Sequence, residues 1–244
     1  MGYNLSIDQG NSAAKVALFD GHELIETWRC DNTLDADTIG SIITDREIDA
    51  AIYSAVAGHG EESIVTLRGI AKRVYELTSL LPLPISVDYA SPSTLGRDRI
   101  AAAVGAWTRH PGKTILVVDA GTAVTYDIVS ADGHFIGGNI APGLWMRAEA
   151  LHRMTDRLPL VDVESPGDVP LWGTDTQCAI LSGVVRGVVG ELTYYHSRLP
   201  AGAKVILTGG DAMRLASLVD FEVETDPLLV NKGLNSILLY NENL

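Results

Sequence analysis

The 244 residues are 46% hydrophobic and 20% charged, with a formal net charge of −13. That length and apolar content can bury a large core, as one large domain or two smaller ones, which argues against disorder. The 18 lysines and arginines form no run, which argues against a nucleic-acid partner but leaves room for a small anion held by a few local donors.

Cys30 and Cys178 stand single and far apart, so they suggest neither a zinc-ligand spacing nor a disulfide framework, and a reducing cytosol fits. The most apolar stretch, 179–189, is short and broken by Arg186, so no membrane span is expected. Met1-Gly2 with Ser6 matches a loose myristoylation pattern, but these residues read better as the first half of a strand.

In chain order, a first strand runs into Asp8-Gln9-Gly10-Asn11-Ser12, a second covers 14–19, and Asp20-Gly21 is a hairpin turn into a third. The run "AAIYSAVAG", 50–58, reads as a parallel strand that opens into a small-residue loop. An amphipathic helix is expected over 62–80, and an alanine-rich one over 99–109. Between them lies "VDYASPSTLGRDRIAAAVGAW", 87–107, in which Pro92 and Gly96 shape a loop and Gly96-Arg97-Asp98-Arg99 feeds the helix.

After Pro111-Gly112 the pattern begins again. "IDQGNSAAKVALFDGHELI", 7–25, lies over "VDAGTAVTYDIVSADGHFI", 118–136, matching Asp8 with Asp119, Gly10 with Gly121, and Asp20-Gly21-His22 with Asp132-Gly133-His134. One extra residue in the second copy absorbs the register change. Helices are expected over 144–157, following Pro142-Gly143, and over 176–199, with "KVILTGGDA", 204–212, as another parallel strand. Two α/β halves of similar topology facing each other across a cleft, 1–111 and 112–244 with the boundary near "RHPGKT", 109–114, account for this order.

Glycine lets backbone N–H groups approach a ligand closely, so each strand–Asp-x-Gly–strand turn is a plausible phosphate cradle, and two facing copies would hold both ends of a polyphosphate. Asp8 is placed to hold Mg²⁺, usually through its waters. One such turn is common in ordinary hairpins; its duplication is the informative feature. Neither a P-loop pattern nor G-x-G-x-x-G after a strand occurs. Asp98, at a helix amino terminus, reads either as a simple cap or as an ionised acceptor for a substrate hydroxyl, and the flanking arginines favour an anion site. The six histidines are scattered and are assigned no role.

Asp8 to Ser12, Tyr89, Gly96 to Arg99, Asp119-Ala120-Gly121-Thr122-Ala123, "GGNIAPGLWM" at 137–146, Thr176 and "TGGDA" at 208–212 together resemble a type III pantothenate kinase. The resemblance implies two ribonuclease-H-like domains of the acetate and sugar kinase/actin superfamily around an ATP cleft. It also implies a cytoplasmic homodimer that phosphorylates pantothenate to 4′-phosphopantothenate, the first step toward coenzyme A, with Mg²⁺ and potassium or ammonium.

Carried over by position, Asp8, Gln9, Gly10, Asn11, Ser12, Ala13, Ala14 and Lys15 would bind ATP, with Asp8 near the magnesium, and Thr122 would meet the nucleotide. Asp98 would be the base, and Tyr89, Gly96, Arg97 and Arg99 would shape the pantothenate pocket. Asp119 would ligate the monovalent cation, and Thr176 would reach pantothenate from the partner subunit. Ser12 stands where the family usually has threonine, which keeps the hydroxyl, and Lys15 reads equally as a solvated strand residue. "GGNIAPGL" is read as an inter-domain wall of the site rather than a mere turn into a helix. The alternatives are a catalytically inactive nucleotide-binding regulatory protein on the same fold and a phosphatase-like hydrolase. The first would not need Asp8, Asp98 and Asp119 intact, and the second would not need the 89–99 segment.

Overall fold

The structure, a computed structural model, describes residues 2–10, 13–30, 36–44, 46–55, 60–164 and 168–244. The chain folds into two compact units, the first made of residues 1–112, 129–136 and 228–244, the second of 113–128 and 137–227.

The first unit begins with β1 (Tyr3–Gln9), β2 (Ala14–Asp20) and β3 (Glu23–Cys30), an antiparallel meander. Gly21, at φ 57°, makes the tight turn between β2 and β3, a conformation that costs glycine no Cβ clash. Next come α1 (Ala36–Ile43), β4 (Ile48–Ala55), α2 (Gly60–Ile70) and β5 (Ala71–Glu76). The sheet order is β3-β2-β1-β4-β5, with β1, β4 and β5 parallel. The expected helix over 62–80 therefore ends at Ile70, and the chain continues as a strand. Residues 71–76 fit an edge strand, with Arg73 and Val74 in register with Ala50 and Ala51 and charged side chains guarding the open edge.

One face of this sheet buries Leu5, Ile7, Val16, Leu18 and Tyr53 against Ile39 and Ile42 of α1 and Leu67 of α2. Two later helices belong to the other face: α3 (Arg97–Arg109), which follows β6 (Ser86–Val87), and the closing helix α7 (Leu229–Glu242). On α7, Asn231 Nδ2 donates to Ser6 Oγ at 3.1 Å and to the Lys15 carbonyl at 3.1 Å, and Asn235 donates to the Gly21 carbonyl at 2.9 Å. These bonds and buried Leu234, Ile237 and Leu238 explain why the end of the chain packs on the first unit rather than completing the second.

Helices α3 and α7 meet backbone to backbone. A Cβ on Gly105 would lie 2.5 Å from the Leu229 carbonyl oxygen, and one on Gly233 would overlap the Ala101 carbonyl. Gly233→Ala must push the helices apart, so it should lower stability by about 1–3 kcal/mol or more. Urea unfolding checks this; an unchanged midpoint and slope would show that the crossing relaxes freely.

The second unit's sheet is built from β7 (Ile115–Ala120), β8 (Ala123–Val129), β9 (His134–Pro142), β10 (Lys204–Thr208) and β11 (Glu224–Thr225), in the order β11-β10-β7-β8-β9. Both β10 pairings are parallel. The tip of the β8–β9 hairpin, with Gly133 at φ 82°, belongs to the first unit, where the start of β9 pairs parallel with β6. Residues 10–13 join β1 to β2, whereas only Gly121 and Thr122 join β7 to β8; the hairpin after β8 is correspondingly longer.

Helices α4 (Leu144–Arg153), α5 (Thr176–His196) and α6 (Ala212–Ala216) complete this unit, α4 and α5 ending earlier than expected. Its core joins Leu116, Val118 and Leu207 with Ile180, Val184, Val185, Val188 and Leu192 of α5. Among the described residues, no helix is long and apolar enough to cross a membrane.

Candidate functional site

The first turn closes with the Gly10 N–H donating to the Ala13 carbonyl at 3.1 Å; Asn11 and Ser12 lie outside the described residues. Asp8 and Lys15 are cross-strand partners, so their side chains stand on the same face of the hairpin, which is also the Ser6 face that carries α7. Gln9 and Ala14 are partners on the opposite face, 2% and 0% exposed. Gln9 Oε1 accepts from the Tyr53 hydroxyl, with Ser63 Oγ 3.5 Å away, so Gln9 and Ala14 offer a ligand chiefly their main chain. Burial raises the Tyr53 phenol above its ordinary range, which keeps it a donor to Gln9.

The carboxyl ends of β1, β4 and β5 lie at one edge of this sheet. Arg97, at the start of α3, pairs with Glu76 at the end of β5 at 3.2 Å. The helix amino terminus and Asp98 are thereby brought to the edge that carries Asp8. Asp98 is exposed, and its Oδ1 accepts the Arg99 N–H at 2.8 Å instead of bonding as an N-cap. Gly96 makes room for that carboxylate, because a Cβ there would lie 2.5 Å from Asp98 Oδ1.

Arg99 is 6% exposed, its guanidinium 5.7 Å from the ring centroids of both Tyr89 and Phe135. Tyr89 meets Phe135 edge-on, and the preceding loop is fastened where Ser86 and Val87 pair with His134 and Phe135. His134 Nδ1 lies 3.0 Å from Asp88 Oδ2. Tyr89, Gly96, Asp98 and Arg99 thus form one local group. Phe135 was not anticipated; its only sequence signal is its place just after the second Asp-Gly-His turn.

In the second unit, Asp119, next to last in β7, is in register with Thr208 of β10. A Cβ on Gly209, at φ 90°, would lie 2.5 Å from both Asp119 Oδ1 and the Ala120 carbonyl. Gly209 therefore has a steric as well as a conformational reason to be glycine. The buried Thr208 hydroxyl has no hydrogen-bond partner among the described residues. Exposed Thr122 follows in a two-residue turn that bonds to Gly143 N–H through its carbonyl at 3.1 Å. Among the described residues, no group of three or more His, Cys, Asp or Glu side chains is placed to hold a metal ion.

Thr176, exposed, is the first residue of α5, after Asp175, whose Oδ1 accepts the Cys178 N–H at 2.9 Å. The helix's apolar face is consumed by its own unit's core, because it covers the sheet. The exposed side carries Ala179, Gly183, Gly190 and Tyr194.

A model of the type III pantothenate kinase family matches residues 4–198. A type III pantothenate kinase of Bacteroides fragilis is 42% identical over 241 residues, covering 98% of this chain and 98% of that protein. Among solved structures, a Campylobacter jejuni protein assigned to the Baf family of transcriptional activators superposes with a TM-score of 0.64 at 25% identity, over 98% of this chain and all of that one. A Sinorhizobium meliloti protein assigned as a 2-dehydro-3-deoxygalactonokinase gives a TM-score of 0.60 at 15% identity, over 99% of this chain and 100% of that one. The fold is that of the sugar kinase/actin superfamily. With the family matched over most of its length and a 42% identical relative over nearly all of it, the chain belongs to the type III pantothenate kinases.

Proposed function

We propose that this chain transfers the terminal phosphoryl group of ATP to the terminal hydroxyl of pantothenate, giving 4′-phosphopantothenate in the cytoplasm. The observation that carries the reading is the group around α3, where the Asp98 carboxylate stands exposed at a helix amino terminus beside Arg97 and an Arg99 braced by Tyr89 and Phe135. Asp98 accepts the proton of the attacking hydroxyl. Arg97 and Arg99 supply positive charge for an anionic acceptor, and Tyr89 and Gly96 shape its pocket.

In this reading the Gly10 turn, with Lys15 beside Asp8, and the Gly121 turn, with Thr122, each contact the nucleotide, while the Gly10 and Gly121 N–H groups themselves close their turns onto the Ala13 and Ala123 carbonyls. Asn11 and Ser12 complete the first turn in sequence. Such a transfer needs positioning and charge neutralisation more than covalent help. Asp8 offers one half-buried carboxylate, which fits Mg²⁺ held mostly by water and phosphate oxygens, and that ion neutralises phosphate charge. Pantothenate-dependent release of ADP from ATP tests the proposal. A folded protein that binds ATP and releases no ADP would be a nucleotide-binding protein without catalysis.

Asp119 and Thr208 suit a monovalent cation. Their side chains share a register position, both offer oxygen, and the Thr208 hydroxyl is buried without a hydrogen-bond partner among the described residues. Replacing potassium by a large organic cation at constant ionic strength should abolish turnover, because negative charge in this acidic chain is then left uncompensated against the anionic ligands. Full activity without potassium or ammonium would remove this role from Asp119.

We further place Thr176 over the pantothenate of a second copy, in a homodimer with shared sites. The support is the exposed amino terminus of α5 and its exposed side of small residues; a Cβ on Gly183 or Gly190 would meet only open space.

A further inference from the structure

The turn that holds Thr122 is held from β8, which leaves it, and from the end of β9, which lies against it. On β8, four residues beyond Thr122, the Tyr126 hydroxyl donates to Glu191 Oε2 at 2.7 Å. On α4, Arg147 Nη2 lies 2.7 and 2.8 Å from the two Glu191 oxygens, while its Nε donates to the Pro142 carbonyl, at the end of β9, at 2.7 Å. The Arg147 N–H donates to the Gly143 carbonyl at 3.0 Å, and the Gly143 N–H to Thr122. A Cβ on Gly143 would overlap the carbonyls of Gly121 and Thr122, so this backbone lies directly against the turn. A Cβ on Gly187 of α5 would lie 3.3 Å from Arg147 Nη1, so glycine leaves the guanidinium its space.

The arginine side chain is 19% exposed and the glutamate 33%, so solvent and salt screen the pair less than a surface ion pair. Burial, followed by the hydrogen bond to Glu191, pushes the Tyr126 phenol far above its ordinary range, so it remains a donor.

We propose that Arg147 and Glu191 are a positioning pair for the nucleotide: by fixing Tyr126 on β8 and Pro142 at the end of β9, next to the Gly143 that bonds Thr122, they set the turn's geometry before ATP arrives. Their loss then weakens nucleotide binding and leaves the pantothenate pocket untouched. This rests on the reading of Thr122 as a nucleotide contact.

The experiment compares wild type with Arg147→Lys, Arg147→Met and Glu191→Gln. Each is measured for equilibrium binding of the imido analogue of ATP, for KM of ATP and of pantothenate, and for melting temperature. A lysine cannot serve the Pro142 carbonyl and both Glu191 oxygens from one planar fork. Arg147→Lys should therefore weaken analogue binding and raise the KM of ATP about tenfold or more, with the KM of pantothenate within about twofold. Glu191→Gln, which keeps an acceptor for Tyr126, should shift the same parameters by less. Adding Glu191→Met to Arg147→Met should weaken binding little further, because the two act as one unit.

Unchanged analogue binding in folded Arg147→Lys would overturn the proposal. So would parallel changes in both KM values that track lost stability, the mark of a packing role. Should Arg147→Met fail to fold, Arg147→Lys and Glu191→Gln decide. A wild type that does not bind the analogue would overturn the kinase reading together with this one. A wild type that binds it, with variants that do not respond, overturns this one alone.

Discussion

Asp98→Asn should yield a folded, ATP-binding protein whose turnover has fallen by about a hundredfold or more. The side chain keeps its shape, and the amide oxygen that replaces Asp98 Oδ1 can still accept the Arg99 N–H, now accepted at 2.8 Å, so the start of α3 is retained. What is lost is the negative charge that accepts a proton from the substrate hydroxyl. The charge also interacts with the helix dipole, but that contribution is about 0.3–1 kcal/mol at an exposed site, too little to unfold the protein. Steady-state kcat, with urea unfolding and nucleotide binding as controls, separates the roles. Near-normal turnover in a folded variant would reduce Asp98 to a helix-start residue, with Gly96 beside it merely to clear its carboxylate.

The parts of this architecture that were legible in the sequence are those set by local chemistry. The turns at Asp20-Gly21 and Asp132-Gly133 were readable because positive φ belongs to glycine, and the parallel strands β4 and β10 because buried apolar runs ended in small residues. Residues 71–76 were misread because Ala71, Val74 and Tyr75 are spaced as on a helix; pairing with β4, a tertiary event, decides for a strand. The return of α7 was invisible for a related reason. Gly105 and Gly233 are unremarkable apart in sequence and acquire meaning only where two helices touch. At the candidate site, Gln9 was carried over as an ATP contact by the family resemblance; strand alternation turns its side chain toward Tyr53, which leaves its main chain for a ligand. Arg147 and Glu191, 44 residues apart, had no local motif to announce them.

A mixed dimer of Asp98→Asn and Thr176→Arg chains should recover one working site when both parent homodimers are nearly inactive. The argument starts from α5, whose apolar face is spent on its own core while Ala179, Gly183 and Gly190 leave the other side open to close approach by a second helix. Thr176 begins that helix, and it follows a strap whose course is fixed. Arg186 Nε and Ser182 Oγ both donate to the Pro170 carbonyl, at 2.8 and 2.6 Å, while Leu171 and Trp172 beside it stand 61% and 80% exposed. Large apolar side chains held in the open next to an exposed threonine suit contact with another chain. If one chain's Thr176 lies over the other's Asp98, each single substitution spoils both sites of its own homodimer. The mixed dimer then contains one site with both substitutions and one with neither. Co-expression with different tags, tandem purification and assay of the verified heterodimer should give about half the wild-type turnover per dimer, if the sites work independently. No recovery in that heterodimer, with both parents folded and inactive, would mean that each site is built within a single chain.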